Sequence, residues 1–246
     1  MKVVLFCGGF GMRMGKFFQN KSEFFENNPK PMLLIGNRPI LWHIMKYYAH
    51  FGHKDFILCL GYKADIIKEY FKTNNDSFSE WNIQLVDTGL NTKIGQRLFS
   101  VKDLLQNDDV FMVNYTDGLS DVDLNAYLDY FIKNDKVASL LSVKAPLGFH
   151  HVISNNNGIV ENIKDGLGNY DLRINAGFFI FKNEFFNYFK DGEELVDEPF
   201  ERLIRQGQLI SYMYDGFWKN IDNYKDKIEI DEMYEKNNSP WILWED

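Results

Sequence analysis

The sequence predicts an α/β fold on a parallel sheet, and three observations predict it. Short continuous apolar runs at residues 3–7, 55–60 and 109–115 end in glycine or in a polar turn, as strands buried on both faces do. Segments of helical spacing at 39–51 and 64–72 lie between the early runs. Strand and helix then alternate through short connections, which is a βαβ series with right-handed crossovers.

Each element has its own justification. The first strand runs straight into Gly8-Gly9-Phe10-Gly11. The helix at 39–51 can bury Ile40, Trp42, Ile44, Met45 and Tyr48 on one face, and Gly52 closes it. A second strand at 55–60 stops at Gly61. The helix at 64–72 presents Ile66, Ile67, Tyr70 and Phe71. After a polar loop at 73–80, residues 81–87 alternate as a third strand and end in Thr88-Gly89. Residues 91–97 follow at a strand's carboxyl end, where open α/β sheets place their ligands. A helix is expected over 98–105, a buried strand over 109–115, and a helix over 124–133 with Asp121 or Asp123 as its cap.

Beyond a fifth strand at 137–144 the alternation gives way to hairpins. The chain therefore divides near 145 into two halves, 1–145 and 146–246, of one domain. A hairpin is expected over 147–163 around Asn155-Asn156-Asn157-Gly158, then an aromatic-rich strand at 173–181. Helices at 184–189 and 198–206, a strand at 209–213 and a terminal helix at 225–236 complete the chain, with residues 241–244 packing back on the body.

Bulk properties narrow the function. The chain has 246 residues and a net charge of −8, which argues against a general nucleic-acid surface but not against a small anion in a local cationic pocket. Its two cysteines, Cys7 and Cys59, both sit in apolar runs and read as core residues, consistent with a cytoplasmic location. No apolar stretch reaches the roughly 20 residues of a membrane span. The first apolar run is too short for a signal peptide.

The chemistry concentrates at the start. Gly8, Gly9 and Gly11 let the backbone turn with N–H groups toward an anion, although the same glycines would serve a plain βα turn. Arg13 adds a planar cationic fork, and Lys30, within Pro29-Lys30-Pro31-Met32, a second cation. The stretch is neither of the two common phosphate loops. Gly15-Lys16 precedes Phe17, and the third glycine of a dinucleotide fingerprint is replaced by Met14. Farther on, Asp117 stands between a buried strand's end and Gly118, a place for a metal ligand, a catalytic group or a turn residue. His150 and His151 are adjacent, so on a strand they face opposite ways and cannot readily share a metal.

The order G-G-x-G-x-R, then P-K-P-M, resembles the signature of nucleotidyltransferases that join a nucleoside triphosphate to a phosphorylated small molecule. Residues 39–45 (PILWHIM), 61–71 (GYKADIIKEYF), 85–89 (LVDTG), 115–118 (YTDG), 175–179 (NAGFF) and 216–227 (GFWKNIDNYKDK), with Glu198-Pro199 and Pro240-Trp241, extend the likeness over nearly the whole chain. They resemble the glucose-1-phosphate cytidylyltransferase branch. The resemblance implies a Rossmann-like mixed, mostly parallel sheet flanked by helices, with an inserted β-hairpin region. It implies a triphosphate loop of Gly8, Gly9, Gly11 and Arg13, and Lys30 as the lysine bridging the α-phosphate and the incoming phosphate. It implies a base-reading segment holding Thr88, Gly89, Gly95 and Arg97, with Arg97 donating to cytosine. Asp117 also falls in the nucleotide site, and with Asp222 resembles the carboxylate pair that holds Mg²⁺.

The acceptor side departs from that pattern. Gly166 stands where the branch has the lysine that binds the sugar's phosphate, and Lys164 could replace it only if the strand slips in register. The branch's Arg-Phe-Gly is here Leu147-Gly148-Phe149-His150. The expectation is therefore a CTP-dependent cytidylyltransferase whose acceptor is L-glutamine phosphorylated on its amide nitrogen, as in the divergent group of capsule phosphoramidate synthesis. His151, Lys164, Arg173, Asn175, Glu198 and Trp218 are its candidate acceptor contacts. The alternatives are glucose 1-phosphate as acceptor, a non-catalytic nucleotide-binding regulatory module, and a nicotinamide-dependent oxidoreductase. Neither nucleic acid nor membrane is an expected partner, and a homo-oligomer is left open. The loop at 14–29, rich in phenylalanine, is a candidate lid.

Overall fold

The computed structural model describes residues 1–9, 28–145, 150–155, 157–165 and 172–245. Arg13, Gly11, Gly166 and most of the candidate lid lie outside the described residues, as do the side chains of His150, His151 and Lys164.

The elements in chain order are β1 (Lys2–Phe6), the short pair β2 (Leu34–Ile35) and β3 (Arg38–Pro39), α1 (Ile40–His50), β4 (Asp55–Leu60), α2 (Ala64–Thr73), β5 (Asn82–Asp87), α3 (Ile94–Ser100), β6 (Val110–Tyr115), β7 (Gly118–Ser120) and α4 (Leu124–Asn134). Then follow β8 (Ala138–Lys144), β9 (His150–Ser154), β10 (Val160–Asp165), β11 (Arg173–Lys182), α5 (Glu198–Arg205), β12 (Leu209–Tyr214), β13 (Trp218–Asn220) and α6 (Tyr224–Glu235).

Seven strands form one sheet in the order β12-β8-β11-β6-β1-β4-β5. β1 pairs in parallel with β4 and β6, β4 with β5, and β8 with β12, while β11 runs antiparallel to both its neighbours. The sheet is mixed and mostly parallel, and it takes strands from both sides of residue 145. Val3, Val4 and Leu5 are fully buried because helices cover both faces. Val3 and Leu5 pack with Ile44, Met45 and Tyr127 on one side, and Val4 and Phe6 with Leu98, Phe185 and Leu203 on the other. Trp241 is buried and stacks on Phe217, which ties down the C-terminal segment. Among the described residues no helix is long and apolar enough to cross a membrane.

Three local expectations are corrected. The helix expected at 98–105 begins at Ile94 and ends at Ser100, followed by a 3₁₀ turn at Lys102–Leu104. Gly95 is what hid its start, because glycine weakens a helix. Tertiary packing overrides that preference: a Cβ at Gly95 would lie 2.6 Å from Phe189 and 2.7 Å from the Glu193 carbonyl. Residues Asn183–Tyr188 form a 3₁₀ helix rather than an α-helix. Asp123 alone caps α4, its Oδ1 accepting from the N–H groups of Asn125 and Ala126. Asp121 instead accepts from the Tyr214 hydroxyl and the Phe217 N–H.

Candidate active site

The carboxyl ends of β1, β4, β5 and β6 open onto a cleft of about 430 Å³. Gly8 and Gly9 form one wall, residues 90–94 a second, and Lys30, Tyr115 and Asp117 a third, with Arg97 beneath. The cleft lies where an open α/β sheet binds ligands, and its volume is that of a small-molecule site.

Arg97 is only 3% exposed. Its Nη1 donates to the Leu60 carbonyl (2.9 Å), the Thr88 hydroxyl (2.7 Å) and the Gly89 carbonyl (2.8 Å). Its Nη2 donates to the Gly8 (3.1 Å) and Leu90 (3.2 Å) carbonyls. One guanidinium thus ties together the chain just beyond β1, β4 and β5. Gly8 and Gly61 are glycines for the same reason, since a Cβ on either would lie 2.2 and 2.6 Å from Nη1. Arg97 was expected to donate to cytosine; here protein oxygens take its terminal N–H groups while its side chain lines the cleft. Thr88 belongs to the same knot, its hydroxyl donating to the Leu60 carbonyl at 2.7 Å. Gly89 gives its carbonyl to Arg97 and its N–H to Asp87. Gly95 serves packing and lies buried within α3.

The opposite wall carries the charge. Lys30 sits in a 3₁₀ turn, Lys30–Met32, entered through Pro29 and held by Pro31. Its ammonium donates to Asp117 Oδ2 at 2.7 Å and to Asp222 Oδ1 at 2.8 Å. The two carboxylates come from distant parts of the chain, and an antiparallel ribbon joins them. β7 pairs with β13 so that Gly118 faces Asn220, which puts Asp117 just before one strand and Asp222 just after the other. The Ile221 N–H donates to the Asp117 carbonyl at 2.8 Å and fixes this end of the ribbon. Asn220 Nδ2 donates to Asp222 Oδ2, and the Asp222 N–H donates to Asp226 in the first turn of α6.

Sequence reasoning missed the loop at 190–197. Arg202 grips Glu193 through both guanidinium nitrogens and also donates to the Tyr188 carbonyl. That contact holds the Glu193 carboxyl down at about 2. Glu194 then caps α3 by accepting from the Gly95 N–H at 3.0 Å. Burial, with the charges of Glu194, Asp117 and Asp197 nearby, pushes the Tyr115 hydroxyl well above its ordinary pKa, so a neutral phenol lines the cleft. An Arg inside a helix with proline in its first turn, and a Glu nine positions before it, were the available sequence clue.

None of Arg173, Asn175, Glu198 and Trp218 lines this cleft. The structure pairs Arg173 with Asp215 at 2.7 Å, and Asn175 Oδ1 accepts from the Gly177 N–H. Glu198 lies exposed at the start of α5 and accepts from the Glu194 N–H. Trp218 sits against Gly118, beside Asp117, and donates through its indole to the Ala176 carbonyl. In the β9–β10 hairpin Lys164 stands directly opposite His151, after a one-residue register shift between Val160 and Asn162. Cys7 and Cys59 are free and buried. Desolvation pushes the Cys59 thiol up to about 12 and the Cys7 thiol higher still, which makes both unreactive at neutral pH.

No protein-family model matches the chain. The glucose-1-phosphate cytidylyltransferases of Salmonella typhimurium and Salmonella typhi are each 34% identical to it over 265 residues, spanning the whole of both chains. The chain belongs to the nucleotidyltransferase superfamily, in its glucose-1-phosphate cytidylyltransferase-like branch. It is accordingly an enzyme, a nucleotidyltransferase. More distant members remain recognisable: the mannose-1-phosphate guanyltransferase of Saccharomyces cerevisiae is 24% identical over 246 residues, 95% of this chain and 64% of the relative. Solved structures agree on the fold. UDP-glucose pyrophosphorylase complexed with UDP-glucose superposes with a TM-score of 0.71 at 14% identity, covering 96% of this chain and 98% of that one. HddC from Yersinia pseudotuberculosis gives 0.69 at 18% identity, covering 95% and 99%.

Proposed function

We propose that this nucleotidyltransferase is a CTP-dependent cytidylyltransferase that joins CMP to glucose 1-phosphate and releases pyrophosphate. The observation that carries the reading is the full-length similarity to glucose-1-phosphate cytidylyltransferases, together with Lys30, Asp117 and Asp222 meeting beside the cleft. The comparisons do not support L-glutamine phosphate, the acceptor expected from the sequence, and they favour the hexose phosphate.

An acceptor phosphate oxygen attacks the α-phosphorus of CTP in line. The new oxygen–phosphorus bond forms as the α–β bridging bond breaks, and the electron pair leaves on pyrophosphate. The attacking oxygen is already ionised, so no general base is required. The barrier lies in bringing two anions together, and positioned cations lower it. Lys30 is placed to meet the α-phosphate and the incoming phosphate. In this reading the backbone N–H groups of Gly8 and Gly9, which line the cleft, meet the remaining phosphates. Asp117 and Asp222 suit a divalent cation, since two carboxylate oxygens already converge on one cationic atom and each side chain keeps about a third of its surface exposed. Magnesium bound by that pair supplies neutralisation of the triphosphate and its leaving group.

Gly166, in place of the branch's phosphate-binding lysine, favours a second reading in which the acceptor is L-glutamine phosphate. Pyrophosphate release measured with CTP or UTP, Mg²⁺ and each acceptor in parallel decides between the two readings. Turnover with CTP and glucose 1-phosphate is the expected result. Turnover with L-glutamine phosphate alone replaces the acceptor, and silence in every arm rejects a cytidylyltransferase.

A further inference from the structure

The Lys30 ammonium lies within hydrogen-bonding distance of both carboxylates of the proposed metal pair, at 2.7 and 2.8 Å. Its side chain is only 15% exposed, so bulk water screens this contact less than it would a surface ion pair. We propose that Lys30 is a built-in counter-ion that holds the metal carboxylates closed until a nucleotide draws it away, so that the divalent cation enters strongly only with its triphosphate. The inference rests on the proposed metal role of Asp117 and Asp222.

The argument is one of competing cations. A free divalent ion reaching the two carboxylates displaces an ammonium already paired with both, and that ammonium is then left half-buried without its partners. Losing two such contacts opposes metal entry. A triphosphate changes the balance because its oxygens offer the ammonium new acceptors, and charge-assisted bonds to phosphate replace those to carboxylate. The carboxylates are released at the moment a second set of metal ligands arrives. Among the described residues no third His, Cys, Asp or Glu converges with the pair on a metal position. Magnesium held by two carboxylates completes its shell with water and phosphate oxygen, so the ion gains ligands from the same molecule that removes its competitor. Lys30 thereby couples two binding events through a single atom, and the coupling is reciprocal. The ribbon supports this exchange. Backbone pairing at Gly118–Asn220 and the Asp222 N–H bond to Asp226 keep both carboxylates in place whichever cation they hold.

The test measures Mn²⁺ binding to the nucleotide-free protein, by calorimetry and by the loss of the free-ion resonance signal. Wild type is expected to bind weakly. Lys30→Met should tighten Mn²⁺ binding on the order of tenfold, within the range usual for coupled sites. Adding Asp222→Asn to Lys30→Met should remove the gain. Lys30→Arg, which keeps the charge, should bind as weakly as wild type. Lys30→Gln serves if the methionine variant fails to fold. Equal or weaker Mn²⁺ binding by the neutral variants overturns the proposal, as does wild-type binding as tight as theirs. Because no substrate is present, this outcome is separate from the pyrophosphate assay: a wild type that turns over CTP while its neutral variants gain no metal affinity keeps the function and loses the counter-ion.

Discussion

Two cations face the same cleft and are held in opposite ways. Arg97 is surrounded by neutral oxygens, four carbonyls and a hydroxyl, with its terminal N–H groups committed. Lys30 is held by two carboxylates that can equally well hold another cation. A guanidinium bonded to backbone carbonyls has nowhere better to go, so its contribution is the shape of the wall. An ammonium between carboxylates has alternatives as soon as a phosphate appears. Residue type alone does not distinguish the two, and the acceptors around each do.

The carboxylates give the largest expected effect. Asp117→Asn or Asp222→Asn should each lower Mg²⁺-dependent turnover by about 10²–10³ or more, the scale of losing one electrostatic group at a reacting centre. The melting temperature should stay near that of wild type. Near-normal turnover in either variant would remove that residue from the metal pair. Arg97→Met should do the reverse in kind. It strands buried carbonyls at the ends of three strands, at a cost of about 3 kcal/mol, or roughly 10 °C in melting temperature for a chain of this size. Thermal unfolding of Arg97→Met and Lys30→Met side by side checks the contrast, and equal losses would break it.

Gly61→Ala sharpens the comparison without replacing either cation. The new methyl meets Arg97 Nη1 at 2.6 Å and the Gly89 carbonyl at 2.8 Å. Overpacking of this kind typically costs about 1–3 kcal/mol. Here it should also raise the KM for nucleotide while leaving kcat within about threefold, because Arg97 shapes the wall rather than reacting. A fall in kcat with KM unchanged would argue against that role. The smallest effect is expected from Arg202→Gln, which frees the 190–197 loop from a partly exposed pairing worth about 1 kcal/mol. Its check is a modest rise in KM with little change in melting temperature.

How legible these features were follows from their physics. The strand that runs into Gly8, the strands at 55–60 and 109–115, and Asp123 as a cap were readable because burial and capping leave local patterns. Lys30 and Asp117 stood out as isolated charges beside structural punctuation. Their meeting with Asp222 could be inferred only by resemblance. β7 and β13 are three residues each, too short for alternation to register, yet they place the carboxylates. Arg97 was visible as a cation, but the knot it makes was not, because most of its acceptors are backbone carbonyls that no sequence displays. The structural demand for Gly95 was hidden too: what requires a glycine there is Phe189, far along the chain.

The strand order has a consequence for how the protein comes into being. β8 leaves the ribosome before β11, yet its sheet neighbours are β11 and β12. Until residues 173–182 emerge, β6 keeps an open edge and β8 has no strand to join. The N-terminal strands β1, β4, β5 and β6 can assemble early through local crossovers, whereas closing the sheet waits on long-range pairing, the slow kind. Asp222 follows later still. A nascent or truncated chain can therefore build the cleft wall around Arg97 and still lack Asp222, one of the two carboxylates that meet Lys30, until the last tenth of the chain has folded.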